Sequence, residues 1–488
     1  MSKTTTLVKN TIIIALGKIS TQFLNFLLLP LYTAYLAAAE FGVVDLVTVV
    51  VSLVAPVVML SLEMAVFRFL IDGRGHHKQQ ARVITNALQL MGSSMLLAGV
   101  LFVLVMQWVA VPYGWLALGA VVAAVASNFC LQVARGFGNN TQYAIGSMVA
   151  GATIVVLNIV FIAVLKMGAT GMLLATVIGN SVSALYLIIT LKIPQYIDLS
   201  LCDGDTRKEL LHYALPLIPN NISWWVVNAA DRMIIAALLG VTANGIYAVA
   251  YKFPQVFTAV YNFFGLSWAE SASMHIRSKD RDAFFSKVAN MSVRVFGSFG
   301  VVLIVGVSVF FNILVGVRYS KARLYIPLLL IGSFFSAIVG VYSAIYIAKK
   351  RTKQVLYTSL VAAGISIGLS VALIPVIGLY GPAVAMIAAY LGMAIFRHLD
   401  IKKSINITYD RTAVGSVALL YALAIGLYYI NSPYATIANV VISSAGVIAI
   451  NRHTLRALQQ TLFRKMKGLK QKQADKLAQA WEVDRGAE

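Results

Sequence analysis

The chain has 488 residues, 59% hydrophobic and 12% charged, with mean hydropathy +0.82 and a formal net charge of +21. A soluble protein carries about 25% charged residues, so this composition excludes a soluble globular protein and points to a polytopic membrane protein. So basic a chain also invites a nucleic-acid reading, which the placement of the charges removes.

A bilayer core of about 30 Å needs roughly 20 apolar residues per helix, and on that ruler the sequence predicts about fourteen spans. They run approximately over 11–36, 43–70, 83–107, 114–134, 142–165, 170–191, 213–239, 244–268, 289–316, 324–348, 355–377, 381–398, 412–430 and 435–451. The first apolar run is too long for a signal-peptide core and lacks a nearby A-x-A cleavage site, so it reads as a permanent span. With the N-terminus inside, 31 of the 39 Lys and Arg fall in inner segments or at inner helix ends. Four lie in outer loops (Lys166, Arg318, Lys321, Arg323) and four within spans (Lys18, Arg68, Arg232, Lys252). This asymmetry is the positive-inside rule, with both termini cytoplasmic, and topology alone explains the net charge. No nucleic-acid partner is expected.

In chain order, the first span carries Lys18, Gln22 and Asn25 on one helical face. Lys18 lies about two turns inside, too deep for easy snorkelling, and is the firmest cavity candidate. The second span holds Glu63 and Arg68. Arg68 lies near the inner end, where snorkelling is the plain alternative, and Glu63 has Lys18 or Arg68 as candidate partners. Trp108, Tyr113 and Trp115 bracket an outer loop, and Trp268 ends an inner helix, as interfacial aromatics do. Cys130 and Cys202 have neither the number nor the spacing for a disulfide framework or a metal site.

The seventh span and its flanks, LPLIPNNISWWVVNAADRMIIAALLG (215–240), are the most polar apolar stretch. Asn221, Trp225, Asn228 and Arg232 share one helical face, with Asn220, Trp224 and Asp231 on a stripe beside it. Such groups in hydrocarbon usually face a bundle interior or a watery cavity, so this face is expected to line a transport pathway. Interhelical joining by the asparagines is the alternative. Adjacent residues on a helix point about 100° apart, so only one of Asp231 and Arg232 faces the cavity squarely. Arg232 is the expected one, with Asp231 free to pair with Lys252 of the eighth span.

After the last span, Leu455, Leu458, Leu462, Met466, Leu469 and Leu477 recur at helical spacing among Arg464, Lys465, Lys467, Lys470 and Lys472. This is a basic amphipathic helix suited to anionic inner-leaflet lipids, with docking onto a protein partner as the rival reading.

The chain also matches itself weakly at offsets near 203 to 214. Phe41-Gly42-Val43 aligns with Asn244-Gly245-Ile246, Asn86 with Asn290, Tyr143 with Tyr357, and Gly168-x-x-Gly171 with Gly378-x-x-Gly381. At offset 203, Lys18, Gln22 and Asn25 fall on Asn221, Trp225 and Asn228. The expected fold is therefore an all-α polytopic membrane protein with two six-helix lobes, 1–200 and 205–404. An even number of spans per lobe makes the repeat parallel, with a pseudo-two-fold axis along the membrane normal. Two extra transmembrane helices follow in 405–451, then the cytoplasmic tail, 452–488.

PLYTAYLAAAEFGVVDLV (30–47), SLEMAVFRFL (61–70), the 215–240 stretch with GIYAVAYKFP (245–254), and the Gly-rich loop pair resemble Wzx-type polysaccharide flippases. These proteins belong to the multidrug/oligosaccharidyl-lipid/polysaccharide exporter superfamily. The resemblance covers essentially the whole chain and is most specific at the seventh and eighth spans. It implies alternating-access translocation of a polyprenyl-pyrophosphate-linked oligosaccharide from inner to outer leaflet of a bacterial plasma membrane. That product feeds surface polysaccharides such as O-antigen or capsule, and other polysaccharide-assembly membrane proteins are the natural partners.

The residues fit that reading. Lys18, Arg68, Arg232 and Lys252 set against Glu63 and Asp231 leave a net positive interior suited to a pyrophosphate. Gln22, Asn25, Asn221, Trp225 and Asn228 offer amides and an aromatic face for glycan. No catalytic constellation or cofactor motif appears, and every outer loop is short, which argues against a membrane glycan polymerase or ligase. A drug/cation antiporter of the same superfamily is the closer rival, disfavoured by a first helix carrying Lys18 and no acid. A lipid II flippase is a third reading that the sequence does not separate.

Overall fold

The computed structural model describes residues 26–109, 111–452 and 456. Lys18, Gln22, Asn25 and the amphipathic tail beyond residue 456 lie outside the described residues, as do the side chains of Asn220 and Trp224. All regular structure among the described residues is helical, and eleven helices are long and apolar enough to cross a membrane by length and composition.

Helix α1 (Leu29–Tyr35) closes the first predicted span. The second predicted span is not one helix, which corrects the sequence reading. It divides into α2 (Ala38–Val58) and α3 (Leu62–Asp72). The cause is local. Pro56 has no N–H to continue the helical ladder, and Leu60 and Ser61 take left-handed backbone angles, φ 55° and 52°. Runs of apolar residues conceal such a break.

Helices α4 (His77–Trp108), α5 (Gly114–Gly136), α6 (Asn140–Asn158, continuing as a π-helix to Val164) and α7 (Gly168–Thr190) correspond to spans three to six. A separate helix, α8 (Gly204–Ala214), leads into α9 (Leu217–Leu239), and α10 (Val241–His275) follows directly. Then come α11 (Arg281–Leu314), α12 (Ile326–Ala348), α13 (Thr352–Ile377), α14 (Tyr380–Lys402), α15 (Arg411–Ile430) and α16 (Pro433–Arg452). Leu96, Leu97, Val100, Leu101, Leu104 and Val105 on α4 are all exposed, a surface that only lipid covers at low cost. Trp108 and Trp115 are exposed beside that surface, as belt residues are. Trp268 is not a belt residue. It is buried, and its indole N–H donates to the Val341 carbonyl at 3.0 Å, because its helix runs on to His275.

The helices group into two compact units, one within Met1–Arg281 and Phe310–Asn406, the other within Asp282–Val309 and Ile407–Glu488. In the first unit, Leu62, Ala65, Val66 and Leu70 of α3 pack into a core with Ile84, Phe129, Val133 and Leu187. In the second, α15 crosses Gly297 of α11 so closely that a Cβ there would lie 2.4 Å from Val417, while Asn451 donates to the Ser298 hydroxyl.

Several residues paired by the sequence offsets share local geometry. Gly168, which opens α7, and Gly378, just before α14, adopt φ +55° and +59°. Asn86 donates to the Leu201 carbonyl and accepts from the Asp203 N–H; Asn290 donates to the Thr408 carbonyl and accepts from the Asp410 N–H. Each asparagine thus clamps a connecting loop, and each clamped aspartate then caps the next helix.

These caps carry a pH dependence. The Asp205 N–H and the Thr206 hydroxyl hold Asp203 below the usual carboxylate range; the Thr412 and Arg294 side chains and the Ala413 N–H do the same for Asp410. A carboxyl group whose folded value is depressed contributes stability at neutral pH and loses it as pH falls through that value. Thermal unfolding in detergent is therefore expected to be flat near pH 7 and to decline below pH ~4, where even unperturbed carboxylates protonate. Asp203→Asn together with Asp410→Asn is expected to flatten that decline.

Candidate functional site

The site is built where α2 meets the α9–α10 hairpin. Gly240, at φ +86°, turns α9 directly into α10. The first turns of α2 and α10 then cross at a pair of glycines. A Cβ on Gly42 would lie 1.9 Å from the Val241 carbonyl oxygen, and one on Gly245 1.9 Å from that of Ala38. The contact is reciprocal at offset 203, the offset of the sequence repeat. Small residues let the backbones touch, as they do where membrane helices pack tightly. Further ties join the same ends. Tyr319 donates to the Leu36 carbonyl at 3.1 Å, and the Gly316 N–H donates to Thr33 at 3.0 Å.

One turn below the crossing lies a compact charge cluster. The Arg232 guanidinium is 3.6 Å from the Asp45 carboxylate, with side-chain exposures of 8% and 12%. It stacks over the Tyr251 ring at 4.3 Å, and its Nε is buried without a hydrogen-bond partner. Asp231 accepts from the Tyr247 hydroxyl at 2.9 Å and from the Arg232 backbone N–H at 2.9 Å. Asn244 donates both to the Gly42 carbonyl at 3.0 Å and to Asp45 at 3.3 Å. Lys252 stands 6.0 Å from the Phe41 ring.

Asp45, Asp231, Arg232 and Lys252 sum to zero formal charge, so this is a closed electrostatic set in a low-dielectric interior. Removing one member would leave a buried charge uncompensated. Arg232 is buried in this cluster, paired with Asp45. Asp231 takes Tyr247 as its partner rather than Lys252.

The polar stripe of α9 behaves differently along its length. Asn221 donates to the Ser61 hydroxyl at 3.1 Å, and the Trp225 indole donates to the Val49 carbonyl at 2.9 Å and to Ser52 at 3.2 Å. Asn221 docks at the left-handed Ser61 of the α2–α3 break, and Trp225 docks on α2 ahead of Pro56. These two residues therefore join helices, while Asn228 is exposed and accepts from the Tyr390 hydroxyl at 3.2 Å. Arg68 is exposed and paired with Asp72 one turn on, a helix-end arrangement away from the cluster. Glu63 is half-buried, with one carboxylate oxygen lacking a partner.

Two residues escape a reading from sequence. Asp45 sits three residues into its span and looks interfacial; only the α2–α10 crossing buries it. Arg397 counts as an inner helix end by position, yet it is 1% exposed. Its guanidinium is held by neutral oxygens, among them Thr358 at 2.7 Å, Ser359 at 3.4 Å, Ser343, and the Val339 and Val355 carbonyls at 3.2 and 3.3 Å. The serine and threonine cluster on the facing helices α12 and α13 was its only signal. Among the described residues, no group of His, Cys, Asp and Glu side chains is placed to hold a metal ion.

This helical architecture is similar in fold to transporters of the MOP superfamily. It resembles a lipid II flippase MurJ structure in an inward closed conformation, with TM-score 0.68 and 12% identity over 92% of this chain and 99% of that one. It also resembles an inward-facing MATE-family multidrug transporter, with TM-score 0.65 and 15% identity over 80% and 98%. An outward-facing MATE structure matches with TM-score 0.55 and 14% identity over 82% and 95%. No curated protein matches significantly in sequence. Residues 7–269 match the model of the polysaccharide biosynthesis protein family, and the chain belongs to that family. Its eleven helices long and apolar enough to cross a bilayer make it a multi-pass membrane protein.

Proposed function

We propose that this protein flips a polyprenyl-pyrophosphate-linked oligosaccharide from the inner to the outer leaflet of a bacterial plasma membrane, supplying surface polysaccharide synthesis. The observation that carries this reading is Arg232: a buried guanidinium with a free Nε beside the α2–α10 crossing, in a chain of the polysaccharide biosynthesis family. A guanidinium in a low-dielectric site suits a diphosphate, and Lys252 adds a second cation within the same cluster. Lys18, Gln22, Asn25 and Asn228 complete the binding set, Lys18 and Arg232 contacting diphosphate and the amides contacting sugar.

The cycle is alternating access, by rocking of lobe 1–200 against lobe 205–404. On the topology that the loop charges imply, the crossing at Gly42 and Gly245 lies toward the outer face. The basic tail binds anionic lipids of the inner leaflet. Asp45 and Asp231 favour the antiporter as a second reading, since a cation-coupled transporter needs interior acids.

The test is complementation of flippase-null strains that each make a defined repeat unit. Restored surface glycan supports the proposal. Restored drug resistance without glycan export sinks it in favour of the antiporter.

A further inference from the structure

Resting on that flippase reading, we infer that Asp45 is a built-in competitor of the substrate's diphosphate for Arg232, and that its displacement unlatches the outer crossing. The argument is geometric. Asp45 alone joins the two devices described above. One carboxylate oxygen faces the Arg232 guanidinium at 3.6 Å. The other accepts from Asn244, whose same amide holds the Gly42 carbonyl at the closest point of α2 and α10. The acid cannot leave Arg232 without disturbing the crossing.

The arginine is set for exchange rather than permanence. Its contact with Asp45 is longer than the 2.7–2.9 Å of a tight charge-assisted hydrogen bond, and its Nε is unpartnered. A diphosphate offers more charge and more acceptor oxygens than one carboxylate, so it competes for both the occupied and the free donor. Asp45 then becomes a buried carboxylate without a cation. That is costly in an apolar interior and is relieved when α2 separates from α10 and water enters. An empty carrier stays latched because Asp45 satisfies Arg232, and a neutral lipid has nothing with which to replace it. The residue therefore sets specificity for an anionic head group and couples its arrival to opening.

The test uses purified full-length protein in nanodiscs, with spin labels at Ala39→Cys and Thr242→Cys, flanking the crossing, and a polyprenyl diphosphate as probe. In otherwise wild-type protein the probe is expected to lengthen the label distance. Asp45→Asn keeps the shape and the acceptor for Asn244 but removes the competitor. It is expected to bind the probe about ten-fold more tightly, a shift of about 1.4 kcal/mol, and, with no carboxylate left to strand, to keep the short label distance when the probe binds. Asp45→Glu retains the carboxylate and is expected to stay latched and bind as wild type, which controls for folding.

Wild-type binding with no gain in affinity in Asp45→Asn, or lengthening of its label distance by the probe as in wild type, overturns the latch while leaving the flippase reading standing. Absence of binding to either protein overturns the flippase reading and the latch with it.

Discussion

Arg232→Ala is expected to reduce surface-glycan export to background while the protein still inserts. The residue is the cation of the cluster that directly contacts a carboxylate, and it is buried. Truncation removes the proposed diphosphate contact and leaves Asp45 buried beside Asn244 without its cation. Breaking a buried pair from one side costs about 3–5 kcal/mol, so reduced thermal stability should accompany the loss of export. Arg232→Lys separates the two effects. It retains charge but loses the planar fork and the stacking on Tyr251, so stability should recover more than export does. Export by Arg232→Ala at wild-type levels, with normal membrane abundance, would remove the arginine from the transport path.

Gly42→Val is the second large effect. The added Cβ alone would lie 1.9 Å from the Val241 carbonyl oxygen, and backbone is what it meets. No side-chain rotation relieves that contact, so α2 and α10 must separate. Overpacking of a tight interior typically costs about 1–3 kcal/mol, and here it also breaks the Asn244–Gly42 hydrogen bond. The expected result is a carrier that cannot close its outer end. Thiol labelling of a cysteine placed beside the crossing should rise, and export should stop. Gly245→Val should reproduce the phenotype, because Gly245 meets the Ala38 carbonyl at the same distance. Gly240→Ala, where a Cβ meets open space but φ is +86°, tests strain without crowding and should spare the crossing itself.

Most of the helical layout was legible because apolar runs of membrane length have few alternatives in lipid. The pseudo-repeat was legible from glycines and asparagines whose roles are geometric: Gly168 and Gly378 share a left-handed turn, and Asn86 and Asn290 share a clamp. The interruption at residues 59–61 was hidden, since Met59, Leu60 and Ser61 are ordinary span residues and Pro56 occurs in unbroken membrane helices too. Site residues divided the same way. Helical spacing put Asn221, Trp225 and Arg232 on one face, but only packing showed that Asn221 and Trp225 meet α2 and α3. Asp45 and Arg397 were missed because hydropathy measures depth along a helix and says nothing of what a neighbouring helix covers. Trp268 erred for the converse reason: an aromatic at a presumed helix end reads as interfacial until the helix is seen to continue.

The paired asparagine clamps bear on how successive parts of the chain are joined. Asn86 hands the backbone on through Asp203 into α8 and α9, and Asn290 hands it on through Asp410 into α15, each by the same two hydrogen bonds. One side chain thus does two jobs at each connector: it fixes where the loop leaves and it sets the aspartate that starts the next helix. The geometry of each connector is therefore dictated by an earlier helix rather than by the loop's own residues.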